Sequence, residues 1–104
     1  MGGRTFLPTG RVERRIAKTE VVKLLHVDES PIAKVEAITE NVSPQGARVI
    51  TDSICARGKL VRLYAPAEHL QLPARVVYCQ RLEERKFAVG LQLSGRVEMW
   101  KKSV

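Results

Sequence analysis

The sequence predicts an all-β antiparallel fold, a barrel or a sandwich, and three observations carry that prediction. Short segments rich in branched residues recur at intervals of about ten residues. Several of them alternate apolar and polar side chains with the period of two that a half-buried strand requires. Between them, proline, glycine, asparagine, aspartate and serine supply turn chemistry.

The first strand is predicted in residues 19–27, "TEVVKLLHV", and ends at the turn signals Asp28, Ser30 and Pro31. A second follows in "AKVEAITE", where Val35, Ala37 and Thr39 alternate with Lys34, Glu36 and Glu40. The break "NVSPQG" leads into "ARVIT", with Ala47, Val49 and Thr51 on one face. After the glycine turn of "ICARGK", the segment "KLVRLYA" places Val61 and Leu63 opposite Arg62. A loop is expected in "PAEHLQLP", followed by a hairpin of "ARVVYCQRL" and "KFAVGLQL" about the charged "EER". In its second strand Phe87, Val89, Leu91 and Leu93 alternate with Ala88, Gly90, Gln92 and Ser94, and Gly90 predicts a bulge or a close backbone approach.

A chain of 104 residues, 44% hydrophobic, suits a single domain with a modest core. Residues 1–18 show no clear period and read as a flexible N-terminal arm; 19–94 form the β-domain; 95–104 form a short helical tail with Val97 and Trp100 at helical spacing. The net charge of +7 is concentrated at the ends. The arm carries Arg4, Arg11, Arg14, Arg15 and Lys18 against Glu13, and the tail carries Arg96, Lys101 and Lys102 against Glu98. Basic ends on a nearly neutral body suggest a local anion site rather than a long nucleic-acid track.

Several function classes find no support. Cys55 and Cys79 stand in different segments without the spacing of a zinc site or a disulfide framework, and read as reduced, partly buried thiols. His26 and His69 have no catalytic partner in a recognisable motif, and no phosphate-binding glycine loop occurs, so no enzyme is expected. No run has the length of a membrane span or the apolar core of a signal peptide, and Phe6 stands where an acylation signal wants Ser or Thr. A cytoplasmic location and no metal or cofactor are the expectations.

Two short elements remain that can hold a ligand. In "RVERR", Arg11 and Arg15 are four residues apart, and a guanidinium can grip a phosphate with two parallel hydrogen bonds while its plane stacks on a base. Taken alone, the cluster is a weak signal, since arginines on the surface before a first strand are common and solvation is the more usual explanation of them. In "NVSPQG", Pro44 suits the second position of a tight turn and Gly46 its end. Asn41 and Ser43 offer donors and acceptors to a base edge, or else bond their own backbone.

Together these elements fit RxxxR followed by (D/N)xSxxG, at Arg11, Arg15, Asn41, Ser43 and Gly46, and in this the chain resembles the PilZ domain family. The likeness extends through "ARVVYCQ" and "FAVGLQL", over residues 11–94. It implies a six-stranded antiparallel β-barrel and a bacterial receptor for the second messenger cyclic di-GMP. Arg11 and Arg15 would contact phosphates and guanines, and Asn41, Ser43 and the Gly46 backbone would receive a guanine. Arg14, at a variable position of the motif, is a weaker candidate. The resemblance also implies that the ligand orders the arm against the barrel and so signals to a partner protein.

There are departures. An arginine just before the first motif arginine favours an intercalated ligand pair in the family; Gly10 stands there, which leaves stoichiometry open. The short tail reduces any helix used for self-association. Two other readings compete with the receptor: a small basic barrel for single-stranded nucleic acid, and an adaptor of the same fold without a ligand. Against the first, Phe6, Tyr64, Tyr78, Phe87 and Trp100 are scattered and form no stacking platform, so no nucleic acid is expected.

Overall fold

In the computed structural model, which describes residues 15–27 and 30–95, seven strands follow one another as β1 (Ile16–Ala17), β2 (Val21–His26), β3 (Ala33–Ser43), β4 (Gly46–Thr51), β5 (Leu60–Ala65), β6 (Leu70–Glu83) and β7 (Lys86–Leu93). Every pairing is antiparallel. Hydrogen bonding runs β3–β2–β5–β6–β7–β4, and β4 returns to β3, so six strands close a barrel. Closure removes the unpaired edges that an open sheet of these strands would expose. The six-stranded barrel expected from the sequence is present, and β1 is an addition to it.

β1 lies on β3 in line with β2: β2 pairs with residues 33–38, and β1 with Asn41 and Val42. The line is interrupted at residues 18–20, and Thr39 holds both sides of the gap. Its hydroxyl donates to the Lys18 carbonyl and accepts from the Glu20 amide at 2.9 Å, satisfying backbone groups that the broken ladder would leave unpaired. Residues 15–18, assigned by the sequence to the arm, therefore lie on the barrel. Residues 1–14 and 96–104, and with the latter all but the first residue of the expected helical tail 95–104, lie outside the described residues.

Inward positions are filled mainly by branched and small side chains: Val22 and Leu24 from β2, Val42 from β3, Val49 from β4, Val61 and Leu63 from β5, Val76 from β6, and Val89 and Leu91 from β7. A barrel of few strands has a narrow interior, and such residues fill it without strain. The predicted faces of residues 35–39, 47–51 and 61–63 all point inward as expected.

Two predicted boundaries differ. β3 continues through Asn41, Val42 and Ser43, so the break shrinks to the two-residue turn Pro44–Gln45. Turn-forming residues are retained in the strand there because β1 and β4 satisfy its backbone from both sides. The expected loop 66–73 is only a 3-10 turn, Pro66–Glu68, closed by His69 in the left-handed region. From Leu70 the chain already pairs with β5, and Pro73 serves as an acceptor, its carbonyl taking the Ser94 amide at 3.0 Å and hydroxyl at 2.9 Å.

The two cysteines meet in space. Both are free thiols, and the Cys55 amide donates to Cys79 Sγ at 3.5 Å. Burial pushes the Cys55 thiol up from its ordinary range, with the neighbouring Cys79 adding to the effect.

Candidate functional site

Strict alternation from Val35, Ala37 and Thr39 would turn Asn41 into the barrel. A bulge between Thr39 and Asn41 reverses the parity: Val42 becomes the inward residue opposite Ala47, and Asn41 faces out opposite Arg48. A second bulge, between Val76 and Tyr78, does the same on β6, so that Tyr78 faces out opposite Gly90 and Cys79 stands opposite Val89. Since Arg48 is also the register partner of Gly90, Asn41, Arg48, Gly90 and Tyr78 form one row across β3, β4, β7 and β6. At about 4.8 Å per strand step the row spans roughly 14 Å.

Arg15 stands at the Asn41 end. Its Nη1 donates to Asn41 Oδ1 at 2.6 Å, and its Nη2 lies 3.6 Å from where a β-carbon on Gly46 would be. Ser43 Oγ is equally close to that point, and the Leu91 carbonyl oxygen is 3.1 Å from it. At position 46 a β-carbon would crowd the Leu91 carbonyl and stand in ordinary contact with the guanidinium and the hydroxyl, so glycine leaves the backbone bare where these groups converge. Ser43 is the register partner of Gly46 across the Pro44–Gln45 turn.

At the other end, Arg48 Nη1 donates to the Tyr78 hydroxyl at 3.1 Å, and its Nε donates to Glu40 Oε1. The bond to Tyr78 foremost, and then that to Glu40, raises the Arg48 pKa above its already high ordinary value, so its charge is fixed at any working pH. The Tyr78 ring lies directly over Gly90, occupying the space that any side chain there would need. The predicted close approach at Gly90 is thus an aromatic ring laid on bare backbone.

An apolar groove lined by Val21, Ile38, Ile50 and Arg85 among others lies further back along β3 and contains none of the motif residues.

Residues 10–100 match the family model of the PilZ domain. The chain belongs to the PilZ domain family. No curated protein and no solved structure matches it at a significant level.

Within this PilZ domain, the structure brings together four of the residues singled out by sequence: Arg15, Asn41, Ser43 and Gly46. Arg11 and Arg14 lie outside the described residues. Glu40, Arg48 and Tyr78 border the same PilZ surface and carry no motif signal in the sequence. Gly90 was the one available clue to them, because a glycine inside a strand marks something approaching its backbone. PilZ domains are in general non-catalytic ligand-binding domains, and the family is one of cyclic di-GMP receptors. No helix among the described residues is long and apolar enough to cross a membrane.

Proposed function

We propose that this PilZ domain is a non-catalytic cytoplasmic receptor for cyclic di-GMP, and that ligand draws the N-terminal arm against the barrel to present a new surface to a partner protein. One observation carries the reading: Arg15 reaches Asn41 across 26 residues of sequence and lies over Gly46, so the two halves of the motif meet as one surface. A guanidinium there offers charge-assisted hydrogen bonds to a phosphate, and the amide, hydroxyl and bare backbone beside it suit a flat purine. In this reading Arg11 and its neighbours fold over the ligand, at an ordering cost offset by those charged hydrogen bonds.

Calorimetric titration with cyclic di-GMP tests the proposal. A saturable heat is expected below some tens of micromolar ligand, on the order of 6–7 kcal/mol of binding free energy. Arg11→Ala and Arg15→Ala are each expected to abolish most of it. Absence of heat in the unaltered chain, or binding indifferent to both substitutions, overturns the reading.

A further inference from the structure

The structure assigns a second cation to the same surface. We propose that Arg48 grips a phosphate of the bound ligand, and that the Glu40 carboxylate, which holds Arg48 in the free protein, is displaced by that phosphate and so sets the affinity. The inference rests on the receptor reading above and specifies how its site is regulated.

Position is the first ground. Arg48 is the direct cross-strand neighbour of Asn41, which itself holds Arg15, so two forked cations flank one amide on one outward row. The paired bulges on β3 and β6 bring Asn41 and Tyr78 onto the same face as Arg48. The second ground is chemistry. Glu40 binds Arg48 as an anion bearing oxygen acceptors, which is what a phosphate also presents. Glu40 is the residue bulged out of the β3–β4 register, between Thr39 and Asn41, and its side chain is half exposed. It can swing away without disturbing the ladder.

Energetics is the third ground. Arg48 is 25% exposed and Glu40 50%, and ion pairs in such a setting are screened by water and weak. A doubly charged ligand that also engages Arg15 displaces such a partner readily. Tyr78 keeps Arg48 in place during the exchange, because its hydroxyl accepts from Nη1 while Glu40 uses Nε. The ring is held down on Gly90, so the guanidinium is presented from a fixed support.

The test is a double-mutant cycle read by calorimetry with cyclic di-GMP on the full chain: unaltered, Glu40→Gln, Arg48→Ala, Arg48→Lys, and Glu40→Gln with Arg48→Ala. Glu40→Gln is expected to tighten binding about two- to fivefold. Arg48→Ala is expected to weaken it about tenfold or more, with Arg48→Lys recovering part of the loss. The gain from Glu40→Gln is expected to vanish in the Arg48→Ala background. Thermal melts of each variant confirm that the barrel is folded, and Arg48→Lys supplies the comparison if Arg48→Ala is not. Binding that is lost in Arg15→Ala but indifferent to both Arg48 variants overturns this inference and leaves the receptor reading standing. A gain from Glu40→Gln that persists without Arg48 also overturns it, since the acid would then act as a general repulsive charge. No binding by the unaltered chain overturns both.

Discussion

A methyl group at position 46 would stand 3.1 Å from the Leu91 carbonyl oxygen and 3.6 Å from the Arg15 guanidinium. Gly46→Ala is therefore expected to cost about 1–3 kcal/mol of stability, the usual range for overpacking, through the Leu91 carbonyl, while its ordinary contact with the guanidinium leaves Arg15 on Asn41 and ligand binding little changed. Chemical denaturation and calorimetry on the same protein check both expectations. At Gly90 the consequence differs, because the space is filled by a ring rather than backbone. Gly90→Ala is expected to lift Tyr78 from the surface and break its hydrogen bond with Arg48, which a shift in tyrosine absorbance or fluorescence reports. Both glycines are visible in the sequence, but one stands in a motif and the other in a strand, and only their neighbours in space say what each makes room for.

Among the elements, β3 carries most of the site, and its two irregularities explain how. The bulge at Glu40 turns Asn41 outward, and the gap between β1 and β2 is closed by the hydroxyl of Thr39. Thr39→Val keeps the shape and removes the donor and acceptor, leaving two backbone groups unsatisfied. It is expected to lower stability by about 2 kcal/mol, measured as a shift of the urea midpoint, and to loosen β1 and with it Arg15. Thr39 was legible only as an inward residue of an alternating strand. Its polar role depends on a break in a neighbouring strand that no local pattern signals.

For the molecule as a whole, a buried charge cluster ties the start of the barrel to the 3-10 turn. Lys18 Nζ lies 3.4 Å from Glu20 and 3.3 Å from Glu68, with all three side chains no more than 9% exposed. Desolvation, and then the hydrogen bond and charge of Glu68, raise the Glu20 pKa above 4.5, with Lys18 opposing. A carboxyl whose pKa is raised by folding favours the folded state while it is protonated. That contribution is complete below about pH 4.5 and is lost as pH rises through the raised value. Glu20→Gln, which mimics the protonated form and leaves Lys18 paired with Glu68, is expected to melt higher than the unaltered chain at neutral pH, and the difference is expected to shrink in acid. Melting curves across that range check the sign. In the core, Leu24→Ala is expected to cost about 2–5 kcal/mol, because a closed barrel cannot collapse around the cavity.

The sequence by itself determined the strand-rich class, nearly all the strand positions, the inward faces and the family. These follow from local chemistry: side chains alternate with a period of two, and turns need particular residues. Tertiary structure alone decided that β3 runs through Asn41 to Ser43, that Leu70 to Pro73 belong to β6, and that Ile16 and Ala17 join the barrel. It also decided that Arg48, Tyr78 and Glu40 border the site. The physical reason is that a strand's hydrogen bonds, and the parity of its side chains beyond a bulge, are set by whichever strands lie beside it, and those come from distant parts of the chain.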